Sequence, residues 1–202
     1  MPAIPPHLIE ELASDDEFAR TLAAEEIHRI GRTPALRVVK AWQANPHLGA
    51  LLPDPELNVV VGLAVQPVTF AAIRTAFGNP ALATAPPDQD ALEFELQFTS
   101  GVALDILTSR EPGGEGAIAR FLAKFGEAVQ QVEFPCHHVD AAAEFLKTKF
   151  ALAPLYPAKR PGANGTLINF FLATSDSPAG KEKILIELFE SPASLEAPTN
   201  HN

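Results

Sequence analysis

Cysteine is nearly absent. Cys136 stands alone, which excludes a disulfide framework and a multi-cysteine zinc site. No apolar run is long enough to span a bilayer, so no membrane partner is expected. The opening Met1-Pro-Ala-Ile-Pro-Pro lacks a basic region followed by an apolar run, and a cytoplasmic protein without a secretory leader is the expectation. Basic residues are also scarce, 15 Lys and Arg against 25 Asp and Glu, and they are scattered. A net charge of −10 argues against nucleic acid, whose phosphates need clustered cations, and leaves a surface that tolerates cationic ligands. Without secretion, the sequon Asn164-Gly-Thr166 reads as a turn.

What is present is ample apolar material, 47% of the chain, enough for a real core in one or two domains. Residues 1–57 read as a helical extension. Ser14-Asp-Asp-Glu17 fits a capping box ahead of the stripe Phe18, Leu22, Ile27 and Ile30. Thr33-Pro34 reads as a second helix start, and Asn45-Pro46 as the stop after Leu36, Val39 and Trp42. The bland assignment is that these helices cover one face of a sheet. An apolar linker through Pro53-Asp-Pro55 follows.

From residue 58 the periodicity changes. A strand at 58–66 precedes a short helix at 69–77, a proline-rich loop at 81–88, and a cleanly alternating strand. In that strand Leu92, Phe94, Leu96 and Phe98 face one way, while Glu93, Glu95 and Gln97 face the other. Ser100-Gly101 turns the chain into a strand at 102–108. A connector, 109–126, carries a helix from about Gly116 to the stop residue Gly126. A second unit, 127–191, repeats the order more fully: strand 129–134, helix 140–149, a basic glycine-rich loop 159–166, then strands 167–172 and 184–189. Residues 58–108 look like a degenerate copy of it. The tail, 192–202, is polar and expected to fray.

Two motifs test the reading. Gly114-x-Gly116-x-x-Ala119, with Glu133 downstream, imitates a dinucleotide fingerprint. Ser109-Arg-Glu-Pro separates it from its strand, and Glu111 and Glu115 put negative charge where a pyrophosphate would sit, so it is set aside. His137-His138 imitates a metal pair, but neighbours on an extended chain point to opposite sides, and the pair reads as a helix-start loop.

Glu187 carries more weight, because it lies in the middle of the apolar closing strand 184–189. A buried charge there costs several kcal/mol unless it is paired or binds something. It is either a hydrogen-bonded structural residue or part of a site. Alternation puts Gln131 and Glu133 together on one face of their strand.

The segments Ala103-Leu-Asp-Ile-Leu107, Ile118-Ala-Arg-Phe-Leu-Ala-Lys-Phe-Gly126, Val129-Gln-Gln-Val-Glu-Phe134, Val139-Asp-Ala-Ala-Ala-Glu-Phe-Leu146, Arg160-Pro-Gly-Ala-Asn-Gly-Thr166 and Ile184-Leu-Ile-Glu-Leu188 carry a family resemblance. In this order they resemble methylmalonyl-CoA epimerase, within the vicinal oxygen chelate superfamily that includes glyoxalase I and bleomycin-resistance proteins. The resemblance covers nearly half the chain and extends weakly to Val60-Val-Gly-Leu-Ala-Val65.

It implies an α+β fold of two paired βαβββ modules, curved around a cavity that in the family holds a divalent metal. Carried over residue by residue, the metal positions are Val60, Asp105, Gln131 and Glu187. Valine cannot ligate, and both family histidines are missing, so a divalent metal is a cofactor candidate of low affinity. The remaining oxygen donors would suit Mg²⁺ or Ca²⁺ better than Zn²⁺. The implied activity is glyoxalase-like, a lyase or isomerase acting on a small carbonyl or acyl-CoA substrate with Glu187 or Glu95 as base. Ligand contacts are expected from Gln131, Glu133, Arg160 and Asn164. The alternative is a metal-free binding protein of the bleomycin-resistance type. A homodimer is a candidate assembly, since members of the superfamily often pair.

Overall fold

The computed structural model describes residues 4–53, 58–98, 101–177 and 180–191, so the expected turn at Ser100, the 54–57 stretch of the linker and the frayed tail lie outside it. Three helices come first: α1 (Pro6–Leu12), α2 (Glu17–Gln43) and α3 (Pro46–Leu51). They are followed by β1 (Val60–Ala64), α4 (Pro67–Ala76), β2 (Leu92–Gln97), β3 (Ala103–Thr108) and α5 (Ala117–Phe125). The chain closes with β4 (Ala128–Pro135), α6 (Val139–Phe150), β5 (Arg160–Pro161), β6 (Leu167–Ser177) and β7 (Gly180–Glu190).

The N-terminal helices form where expected, with two corrections. The cap of α2 is Asp16, whose Oδ1 accepts from the Phe18 and Ala19 amides; Ser14 Oγ accepts only from the Asp16 amide. A capping box at Ser14 therefore does not form. Nor does Thr33-Pro34 start a helix. Residues 17–43 are one helix with Pro34 inside it, and Thr33 Oγ1 donates back to the Arg29 carbonyl at 2.6 Å. Proline's missing donor costs about 3 kcal/mol in a helix interior. Here the face holding Ile27, Pro34, Ala35, Val39 and Trp42 is buried against the sheet, and that packing overrides the local stop signal. Asn45 does end α2, and its Oδ1 then caps α3 through the His47 amide.

Among the described residues the seven strands join one curled sheet in the order β2-β3-β1-β4-β7-β6-β5. One face is hydrocarbon. Val61, Leu63, Phe94, Ile106, Val132 and Ile186 point from it into the main core, which α2, α4 and α6 cover. Trp42 meets Phe171 edge-on at 6.1 Å, and Phe70 meets Phe94 at 4.9 Å. The other face is a trough. At one end α5 packs Ile118, Phe121 and Leu122 against Ala64 and Leu107, closing the trough there. The helical extension thus lies on the side of the sheet away from the trough. The first half carries two strands after its helix among the described residues, where the second carries three.

Candidate functional site

Alternation along the strands decides what the trough contains. The curled face encloses a cavity of about 670 Å³. One wall is acidic: Glu93 and Glu95 come from β2, Asp105 from β3, Gln131 and Glu133 from β4, and Glu187 from β7. The rest of the lining is largely apolar, with Leu155, Tyr156, Ile168, Phe170 and Phe189, and Phe170 lies next to Glu187 across the β6–β7 ladder.

The two halves present their polar residues symmetrically. β1 and β4 run antiparallel at the centre, with Val60 opposite Glu133 and Gly62 opposite Gln131. Each has a parallel partner from its own half, Asp105 beside Gly62 and Glu187 beside Glu133. A two-fold exchanging β1 and β4 therefore maps Val60 onto Gln131, Gly62 onto Glu133 and Asp105 onto Glu187. Gly62 is small for a reason: a Cβ there would lie 2.6 Å from the Gln131 Cγ. Glu95 sits beside Asp105 on the neighbouring strand.

At the floor of the cavity, Gln131 Nε2 donates to Glu187 Oε2 at 2.9 Å and to Glu133 Oε1 at 3.0 Å. Asp105 and Glu187 are buried, and their carboxyls are pushed well above the usual carboxylate range. Burial is the main cause for both. Nearby negative charge adds to it, led by Glu133 in each case. Glu133 is pushed up to about 7 by burial, against the Gln131 hydrogen bond that favours its ionised form. Burial also raises Glu93, and the Arg110 charge partly opposes that shift. Carboxyls so placed hold their protons to higher pH than exposed ones, which brings them closer to the range in which general acids and bases work.

The donors, as placed, do not fit a resident divalent ion. Val60 offers none, and Gln131 turns its NH₂ rather than its oxygen toward the two glutamates. Among the described residues no three His, Cys, Asp or Glu side chains are grouped as metal ligands. His138 caps α6, its Nδ1 accepting from the Ala141 amide at 3.4 Å, as a helix-start residue should.

Arg160 and Asn164 line the mouth and are already engaged there. Arg160 Nη2 donates to Asp88 Oδ2 at 2.6 Å, and its guanidinium lies 4.7 Å from the Tyr156 ring centre. Asn164 exchanges hydrogen bonds with the Thr84 backbone, both at 3.0 Å, and Gln89 Nε2 donates to the Pro161 carbonyl. These contacts tie the proline-rich loop to the loop before β6, so the mouth is strapped across. Asn164 adopts a left-handed φ of 52° in the short turn Ala163–Gly165, consistent with reading the sequon as a turn.

One cavity residue, Gln130, was not legible in the sequence as part of the site. Gln130 lines the cavity together with Gln131, although adjacent strand residues should face opposite ways. The register shifts between Gly62 and Leu63, and this bulge gives β4 an extra residue at Gln130. Nothing in the local pattern signals it. Glu93 was legible from the alternation, on the same acidic face as Glu95.

The comparisons with known proteins agree with this architecture. No protein-family model and no curated protein sequence matches the chain. Solved structures do. The methylmalonyl-CoA epimerase of Mycobacterium tuberculosis aligns with a TM-score of 0.50 and 25% identity, over 66% of this chain and 87% of that one. A variant of the Streptomyces coelicolor methylmalonyl-CoA epimerase, in complex with 2-nitronate-propionyl-CoA, aligns with a TM-score of 0.50 and 26% identity, over 66% and 96%. A hypothetical protein from Bacillus halodurans reaches a TM-score of 0.53 at 19% identity, over 68% and 96%, which speaks to fold alone. The chain has the vicinal oxygen chelate fold, and methylmalonyl-CoA epimerases are among its structural neighbours.

Proposed function

We propose that this vicinal oxygen chelate protein is an acid–base catalyst of the isomerase or lyase type, acting next to the carbonyl of a small substrate. The observation that carries the reading is the Glu187–Gln131–Glu133 chain at the floor of a half-apolar cavity, flanked by Asp105 at the symmetric position. Its carboxyls are raised toward neutral pH, where one can take a proton from carbon while another returns one. Glu187 is the base. Asp105 stands across the local two-fold and can serve the opposite face of a planar intermediate. Glu95, beside Asp105 and hydrogen-bonded to Gln97, is the second acid–base group. The Gln131 NH₂ steadies whichever of its two glutamates is ionised.

The division into modules at 58–108 and 127–191, joined by 109–126, belongs to the same reading and is supported by the two-fold register. The bound ligand in the Streptomyces structure makes an acyl thioester the first substrate class to test. A truncated thioester is preferable to the full coenzyme ester. Arg160, the cation lining the mouth, is already bonded to Asp88 and offers the nucleotide phosphates little.

The experiment is solvent deuterium incorporation next to the carbonyl of short acyl thioesters and 2-oxo compounds, followed by NMR. Exchange catalysed by the native protein and reduced about 10²- to 10⁴-fold in Glu187→Gln supports the reading. Exchange that is absent, or equal in the variant, overturns it and leaves a binding protein that sequesters its ligand in the same cavity.

A further inference from the structure

The apolar part of the cavity lining is continuous with its acid–base floor, and the register of the sheet shows how. Phe170 of β6 lies directly across the ladder from Glu187, and its carbonyl accepts from the Leu155 amide at 2.8 Å. Glu187, Phe170 and Leu155 therefore form one row across the sheet, and all three line the cavity. At ordinary strand spacing the row carries Leu155 about 10 Å from Glu187. Phe189 and Ile168 flank it in the neighbouring row, which ends at Arg160, and Leu185 flanks it on the other side.

The outer end of the row is open. Of the exposed large apolar side chains among the described residues, Leu155 and Leu82 line this cavity, and Leu155 is 52% exposed. The polar groups beside the row are already used. Asn169 exchanges hydrogen bonds with the Tyr156 backbone at 3.2 and 3.0 Å, and the Tyr156 ring lies edge-on to Phe170 at 6.1 Å. Arg160, at the end of the flanking row, holds Asp88. A charged or hydrogen-bonding group laid along the row would give up its water for hydrocarbon and find no partner. A hydrocarbon chain gains there instead, because it covers Phe170 and Leu155.

We propose that the Glu187–Phe170–Leu155 row seats an unbranched, neutral hydrocarbon tail, which makes the substrate an aliphatic acyl or keto compound. Its reacting carbon lies by Glu187, and its tail leaves the cavity past Leu155. This rests on the catalytic reading above for the end at Glu187, and it adds the chemical class of the other end.

Calorimetric titration of the full chain with butanol, hexanol and octanol tests the tail seat apart from the chemistry, since none of them carries a carbonyl. Affinity should rise about tenfold for every two added methylenes. Hexanediol, whose second hydroxyl would lie on the row, should bind about tenfold more weakly than hexanol. Leu155→Ser should weaken octanol about five- to tenfold and leave butanol unchanged, while Leu155→Met keeps the native affinities. Circular dichroism should show both variants folded, because the substituted side chain is half exposed. Octanol that binds no more tightly than butanol, or a Leu155→Ser variant that weakens all three alcohols alike, overturns the proposal. Chain-length dependence without deuterium exchange would uphold this inference and sink the catalytic reading; exchange without chain-length dependence would do the reverse.

Discussion

At the scale of single residues, the cavity carboxyls dominate. Glu133 has its ordinary value near 4.5 when unfolded and about 7 when folded, and Glu187 and Asp105 move in the same direction. The folded state therefore binds more protons than the unfolded chain between about pH 4.5 and 7. Stability from these groups is fully present below that window and declines as the pH rises through it. We expect the urea midpoint to fall from pH 5 to pH 8, and to fall less in Glu187→Gln, which keeps the shape and removes the charge. A midpoint that rises over this range would contradict the assignment. Glu187 was legible in the sequence as a carboxylate inside an apolar strand, and Asp105 and Gln131 through the family motifs. Gln130 was not legible, because the bulge that brings it to the cavity depends on how β1 and β4 pair, and neither strand alone records that.

At the scale of elements, propensity and packing disagree in two places. Pro34 reads locally as a helix start, yet α2 runs through it because its buried face spans the sheet. Trp42, 4% exposed and edge-on to Phe171, anchors the far end of that face. Trp42→Ala should cost about 3–5 kcal/mol in denaturant unfolding. Gly116, part of the false dinucleotide fingerprint, owes its identity to Asp90. A Cβ there would lie 1.9 Å from Asp90 Oδ2. Asp90 in turn accepts from Ser109 Oγ and from the Arg110 and Glu111 amides, which joins the loop before β2 to the start of the connector. Gly116→Ala should destabilise by about 1–3 kcal/mol. In an Asp90→Gly background, which also removes the Asp90 Cβ that would lie 2.3 Å away, the same change should cost clearly less, as a double-mutant cycle would show. The spacing of the glycines was visible in the sequence; their reason was not, since Asp90 is 26 positions away.

At the scale of the whole molecule, two unequal halves meet at β1 and β4 and leave a trough lined by both acidic and apolar side chains. The period-two alternation in 92–98 and 129–134 made the two-faced sheet predictable, and the repeated order of elements made its pairing predictable. The strapping of the mouth by Asn164 and Thr84 depends on contacts between distant loops, which no local pattern encodes. With Val60 in place of a donor and Gln131 turned by its NH₂, adding Mg²⁺, Ni²⁺ or Co²⁺ should leave the melting temperature unchanged. Strong stabilisation by one of them would show that the donors rearrange around an ion.

The central claim is that the cavity carboxyls hold their protons to higher pH than ordinary carboxylates, and NMR titration of the protein carrying ¹³C-labelled side-chain carboxyls tests it most directly. The resonances assigned through Asp105→Asn, Glu133→Gln and Glu187→Gln should titrate above the ordinary carboxylate range, with Glu133 near 7. Titration of all three in the ordinary range of about 3.5 to 4.5 would contradict the account.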